Sequence, residues 1–140
     1  MSMAHSLIGF PKQWSGYQSG RGVFWHPAGS VFNGAGITDK NIPFTYHSDW
    51  GSTGRWSVEV HTKEASYSLA PLEKLFRRTS FKEPWQEVPL HVFNETVKVG
   101  IVEEVAAMLN PELRKNIPVF SLEDTIQLTK FGEEVFGYSS

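Results

Sequence analysis

Apolar and polar residues alternate in the middle of the chain, which predicts β-strands with one apolar and one polar face. The segments IPFTYHSDW at 42–50 and RWSVEVHT at 55–62 both follow this pattern. The intervening GSTG at 51–54 supplies the glycine that a hairpin turn requires. We therefore predict a hairpin across this turn, with the rings of Trp50 and Trp56 under helices on the apolar side.

Shorter alternating segments extend the predicted antiparallel meander in both directions. Strands are expected in 6–14, from Val31, in 65–71, in 72–78 and in 85–90. The segment SGYQSGRG at 15–22 is predicted as a loop, because its glycines and serines resist regular structure. The residues TDKN at 38–41 are typical of a turn.

The last third of the chain changes to a helical period. One apolar stripe is formed by Val97, Ile101, Val105, Met108 and Leu109. The Asn-Pro pair at 110–111 ends this first helix. A second helix is predicted to open with Ser121 and Asp124 as a capping box and to end at Gly137 as its C′ residue.

Strands followed by two helices predict an α+β fold, with a mostly antiparallel (mixed) sheet and both C-terminal helices packed on one face. A length of 140 residues suits a single domain over 1–140. The polar residues 1–6 are typical of a cloning tag, or of a start inside a longer gene, which leaves 7–138 as the domain.

The composition argues against several classes of protein. With 13 basic and 15 acidic residues the net charge is −2, so the chain has no electrostatic reason to bind nucleic acid. The absence of cysteine removes disulfides, thiol catalysis and cysteine metal sites and fits a reducing, cytoplasmic location. The N-terminus is unlike a secretion signal, and no apolar run approaches the ~18 residues of a membrane span.

A row of polar residues follows the predicted hairpin. Its members are His47, Asp49, Arg55, Ser57, Glu59 and His61. The row is open to three interpretations. Cross-strand pairs contribute roughly 0.2–1 kcal/mol each and explain it structurally. His47 or His61 in acid–base chemistry is a second explanation, and a surface that pairs with a second copy of the chain is a third.

A Gly-rich loop holds a second set of candidates, Arg21, Trp25 and His26. Such loops often carry binding groups, and a guanidinium, an indole and an imidazole suit a sugar or carboxylate ligand. The alternative is an ordinary loop with Trp25 in the core. No histidines have the spacing of a metal motif, and NGAG at 33–36 lacks the third glycine of a dinucleotide-binding turn. We therefore predict no metal and no cofactor site in this chain.

Ordered blocks of the sequence resemble a known family. The run 36–75 contains DWGSTGRWSVEV and YSLAPLEKL, and the chain closes with SLEDTIQLTKFGEEVFGY at 121–138. From 7 to 138 these blocks resemble the C-terminal domain of the Gfo/Idh/MocA oxidoreductases, which are two-domain NAD(P)-dependent dehydrogenases of sugars and polyols. The resemblance implies a dihydrodipicolinate-reductase-like fold for this part.

The resemblance also implies what this chain lacks. In the family, a separate Rossmann domain binds NAD or NADP, a Glu-Lys-Pro motif supplies a lysine, and a histidine often follows an aspartate by four residues. None of these motifs occurs here, so no catalytic position carries over. The implied role is substrate binding and oligomerisation, inactive alone, with the polar row on the open sheet face of a dimer. A free-standing binding module of the same fold is the alternative.

Overall fold

The computed structural model describes residues 2–26, 28–90, 97–117 and 119–138. The chain forms two compact units, and each is described by itself. Unit 1 combines Met1–Thr53 with Phe120–Ser140, and unit 2 is Gly54–Val119. The chain thus leaves unit 1 after Thr53 and returns to it at Phe120, just before the last described helix. The single domain over 1–140 stays a prediction.

The described residues form four helices and seven strands. In chain order they are α1 (Ser2–Ile8), β1 (Pro11–Ser19), β2 (Val31–Thr38), β3 (Pro43–Asp49), β4 (Val58–His61), β5 (Ser66–Leu69), β6 (Leu75–Arg78), β7 (Gln86–Val88), α2 (Ile101–Leu109), α3 (Pro111–Arg114) and α4 (Leu122–Val135). Two antiparallel sheets result, with strand orders β1-β2-β3 and β4-β5-β6-β7. The α+β class and the antiparallel pairing are therefore confirmed.

One face of the three-stranded sheet carries the core of unit 1. Trp14, Phe44 and Tyr46 place their rings there, and α4 covers them with Phe131. The Phe131 ring lies edge to face with the Trp14 ring at 5.0 Å and is 3% exposed. Aromatic rings prefer this arrangement, which adds to the gain from burial. The predicted apolar face of β3 therefore does lie under a helix.

Helix α1 adds a histidine to this core. His5 is buried, and its ring lies edge to face with the rings of Phe44 and Phe131. Its Nδ1 donates a hydrogen bond to the carbonyl of Gly9 at 3.0 Å. Part of the segment 1–6, which has the composition of a tag, thus contributes to the core of unit 1.

Glycines make room for the large rings of this face. Gly16 and Gly34 lie under the Tyr46 ring, and Gly36 lies under the Phe44 ring. A side chain on any of the three glycines would overlap the ring above it. The prediction that 15–22 is a loop is accordingly wrong for its first part. Gly16 belongs to strand β1 because the Tyr46 ring needs the space above it.

The start of α4 is as predicted. Ser121 Oγ accepts from the backbone N–H of Asp124 at 3.1 Å, and the Asp124 carboxylate accepts from the backbone N–H of Ser121 at 2.8 Å. This capping box satisfies amides that have no partner within the helix. Hydrogen bonds from the Ser121 side chain and backbone lower the pKa of Asp124.

The predicted hairpin across 51–54 is wrong. All of β3 pairs with β2, whereas β4 pairs with β5, so the two strands lie in different sheets. The chain bends away at the end of β3, where the Asp49 carboxylate accepts from the N–H of Gly51 at 2.8 Å and Trp50 N–H donates to Ser30 O at 3.0 Å. These local bonds end the strand before a hairpin forms.

The positions of the helices also differ from the prediction. Of the two predicted C-terminal helices, α4 packs on the three-stranded sheet, whereas α2 belongs to unit 2. Helix α2 begins at Ile101 and excludes Val97, because Gly100 has a φ of +86° and interrupts the right-handed helix. The end at Asn110 is confirmed. Trp50 and Trp56, expected under helices, are 43% and 71% exposed.

Unit 2 buries little apolar surface. Among its described residues, the buried hydrophobic ones are Ala65 and Ala107. The predicted apolar stripe of α2 faces outward, with Met108 72% and Leu109 80% exposed. No helix in the described ranges has the length and apolar character needed to cross a membrane.

Replacing Gly36 by alanine is expected to destabilise unit 1 by about 1–3 kcal/mol, the usual effect of overpacking. The new Cβ would lie 2.5 Å from the backbone oxygen of Gln13 and 2.6 Å from the Phe44 ring. Urea unfolding measures the change. Gly51→Ala is the matched control, because its Cβ would meet Asp49 at an ordinary 3.4 Å. Equal urea midpoints for the two variants would contradict the close packing of the Phe44 ring over Gly36.

The stability of unit 1 is expected to fall as the pH drops below 6.5. Burial lowers the pKa of His5 from its ordinary value of 6.5, against a smaller opposing effect of the bond to Gly9. The unfolded chain therefore takes up a proton at a pH where the folded chain does not, and acid favours unfolding. The urea midpoint of unfolding, measured from pH 7.5 downwards, should decline less in His5→Phe than in the wild type. In the control His61→Gln it should decline as much as in the wild type, because His61 is exposed.

Candidate functional site

A tight turn places the first candidate residues. Val23 and His26 exchange backbone hydrogen bonds of 3.0 and 2.9 Å, so Phe24 and Trp25 form the tip of a two-residue hairpin. Phe24 is fully exposed and Trp25 is 46% exposed. The alternative of an ordinary loop with Trp25 in the core is therefore wrong, because the turn directs the indole outward.

The same turn directs His26 inward. Its ring is 1% exposed and lies against the rings of Phe32 at 5.0 Å, Tyr138 at 4.4 Å and Trp25 at 5.9 Å. Neither ring nitrogen has a hydrogen-bond partner in the described part of the chain. Buried polar side chains nearly always have a partner, so an unpaired one requires an explanation.

Trp50 extends the site from the end of β3. Its ring meets the Trp25 ring edge to face, with centroids 4.8 Å apart. The hydrogen bond from Trp50 N–H to Ser30 O holds this residue beside β2. We call Trp25, His26, Trp50 and Tyr138 the His26 site, with the fully buried Phe32 as its floor.

Tyr138 reaches the site through the end of α4. The N–H of Tyr138 donates to Glu133 O at 2.7 Å, and the N–H of Gly137 donates to Glu134 O at 3.3 Å. This pair of bonds is a Schellman motif, and Gly137 is its C′ residue with a φ of +69°, as predicted. The reversal of the chain there carries the Tyr138 ring over His26.

Arg21 is the third candidate of this loop. It is exposed, and no hydrogen bond or ion pair joins it to another described residue. The structure thus brings the rings of Trp25 and His26 together, and no hydrogen bond, ion pair or cation–π contact joins Arg21 to either residue.

The polar row divides between the two units. On β3, His47 is exposed and its Nδ1 donates to Asn33 Oδ1, while Asp49 accepts from Gly51. No hydrogen bond joins His47 to Asp49 in the described residues, so the structure offers no oriented histidine–aspartate pair for acid–base chemistry.

The rest of the row lies in unit 2. Arg55 and Ser57 are exposed and precede β4, so they are not strand partners of His47 and Asp49. Glu59 and His61 are exposed on β4 itself, and Glu59 Oε2 lies 3.8 Å from His61 Nε2. The other ring nitrogen, His61 Nδ1, forms a hydrogen bond of 3.0 Å with Ser66 Oγ. The row is therefore not one continuous ladder.

Other candidate chemistry lacks support in the described residues. No group of three His, Asp or Glu residues there has the arrangement of a metal site. The NGAG segment does not form a dinucleotide-binding turn, because Gly34 and Gly36 lie within β2 under aromatic rings instead of at a helix start. A groove beside Arg55, Trp56 and Glu73 holds ≈ 140 Å³, well below the ~300–1,000 Å³ of typical ligand pockets.

Comparison with protein-family models, with curated proteins and with solved structures gave no match in any of the three. The geometry of the His26 site is therefore the strongest functional observation. Sequence reasoning found Trp25 and His26 from loop composition but missed Trp50 and Tyr138. Tyr138 could have been found from the sequence, because it directly follows Gly137, the predicted C′ residue of the last helix.

Proposed function

We propose that the chain is the substrate-binding and subunit-pairing part of a sugar or polyol NAD(P)-dependent oxidoreductase, and that it is not catalytic alone. The resemblance of its ordered blocks suggests a dihydrodipicolinate-reductase-like fold and a separate cofactor domain. The observation that carries the binding function is the His26 site, where an exposed indole adjoins a buried imidazole without hydrogen-bond partners in the described residues.

A sugar or polyol suits these groups chemically. Its C–H face packs on the exposed Trp25 ring, and its hydroxyls both donate and accept, so they can pair with an imidazole nitrogen of either kind. A buried polar atom without a partner costs about 1–3 kcal/mol, so a hydroxyl that reaches His26 removes an existing penalty. The surrounding rings are uncharged, which favours a neutral ligand over a carboxylate.

Exposed apolar surface supports membership in a larger assembly. Ile101 and Val105 are 43% and 49% exposed beside the still more exposed Met108 and Leu109 on α2. Contiguous exposed apolar surface usually marks an interaction site. A cofactor domain or a second copy of the chain is the kind of partner that the resemblance suggests.

A free-standing binding module of the same fold is the second candidate. It is favoured by the location of the His26 site, since all four of its residues belong to unit 1. Ligand binding then requires no residue from another domain. The two candidates share the site and differ in whether a dehydrogenase surrounds it.

The chain alone is expected to bind neutral sugars or polyols. Titration with glucose, myo-inositol and sorbitol, followed by saturation-transfer NMR and calorimetry, tests this. Trp25→Ala should weaken binding about tenfold or more, which corresponds to losing about 1.4 kcal/mol of contact. Trp56→Ala, which removes an exposed indole of unit 2, should leave the affinity unchanged. An equal loss in both variants, or no binding in the wild type, would count against the proposal.

Self-association is expected through the open face of the three-stranded sheet, where His47 is exposed and Asp49 ends β3. Sedimentation velocity at rising concentration should show a dimer at high micromolar levels. Thr45→Lys, at an exposed position on the same face of β3, should shift the equilibrium towards monomer, because it places like charges opposite each other in the dimer. Glu83→Lys, in unit 2 and outside the polar row, is the control. If the wild-type chain sediments as a monomer at every concentration, the proposed subunit pairing is refuted.

A further inference from the structure

We propose that Tyr138 is a movable wall of the His26 site, and that a ligand reaches the His26 ring nitrogens only when the Tyr138 ring moves aside. The inference rests on the proposed function in one respect, namely that His26 contacts a ligand. The closed arrangement is the one described above, with the two ring centroids 4.4 Å apart and His26 1% exposed.

The rings of the other walls, Phe32 and Trp25, each contact one further ring besides His26. Phe32 is fully buried in β2 and is held by the Phe136 ring at 5.3 Å and edge to face. Trp25 is held by the two backbone bonds of its turn and by the Trp50 ring. Moving either residue would disrupt a strand, a hairpin or an aromatic contact.

Tyr138 is held much less firmly. It follows the end of α4, and its backbone N–H bonds to Glu133 O. Its ring makes one ring contact with a described residue, that with His26, and it is 55% exposed. Rotation of this side chain would open one side of His26 to solvent and leave α4 in place.

The closed position is also opposed by the chemistry of His26. With Tyr138 in place, the imidazole is buried without a hydrogen-bond partner in the described residues, which is unfavourable. Opening restores water to the ring nitrogens, and a ligand hydroxyl supplies the same bonds. Both effects favour a wall that opens readily.

The test is the rate at which diethylpyrocarbonate modifies His26, measured residue by residue with mass spectrometry. This reagent acylates an accessible imidazole nitrogen. Tyr138→Ala should raise the rate of His26 modification about tenfold. This is the rise expected if the Tyr138 ring lies away from His26 in about a tenth of wild-type molecules. Tyr17→Ala is the matched control, since Tyr17 is 82% exposed and none of its ring contacts involves His26.

Gly137→Ala is a second variant that leaves the tyrosine in the sequence. A Cβ at this φ of +69° would lie 2.6 Å from Gln18 Oε1, so the turn that carries Tyr138 should be displaced. We expect faster modification of His26 in this variant too. Tyr138→Phe keeps the ring and should retain the slow rate.

The buried His5 reports on folding in the same samples, and the exposed His61 reports on reagent activity. A measurable rate of His26 modification in the wild type that rises in Tyr138→Ala, with an unchanged rate at His5, supports the movable wall. No modification of His26 in the wild type would mean a fixed wall and would overturn the proposal. An unchanged His26 rate in Tyr138→Ala overturns it, and so does an equal rise at His5, which would make Tyr138 a structural residue. No sugar or polyol is present, so failure of the ligand titration and failure of the wall are distinguishable.

Discussion

The contact of Phe131 with the three-stranded sheet is the interaction on which unit 1 depends. Helix α4 approaches closely because Gly16, Gly34 and Gly36 let the rings of Tyr46 and Phe44 lie flat over neighbouring strands. The helix then continues to the Schellman turn, which delivers Tyr138 to His26. Helix α4 therefore contributes both to the core packing and to the geometry of the His26 site.

Local patterns predicted the strands and helices better than they predicted pairing. Alternation identified β3 and β4, and capping chemistry identified the start of α4, because both signals come from adjacent residues. The partner of β3 was not predictable from alternation. It depends on the turn at Asp39–Asn41, which joins β3 to β2, and on the bend at Asp49, which ends β3.

The residues of the His26 site also differ in whether the local sequence predicts them. Trp25 and His26 were identified because a Gly-rich loop with aromatic residues is a local signal. Trp50 was placed under a helix by its position in an alternating strand, but it lies just beyond that strand. Its role and that of Tyr138 arise from contacts between distant parts of the chain, which periodicity does not report.

Unit 1 is discontinuous, and this has a consequence for biosynthesis. Trp14 and Phe131, which meet in its core, lie near opposite ends of the chain. During translation the aromatic face of β1–β3 emerges long before α4 does, and all of unit 2 must be made in between. Contacts of such high sequence separation fold slowly. The nascent sheet therefore offers chaperones an exposed aromatic surface until α4 has also left the ribosome.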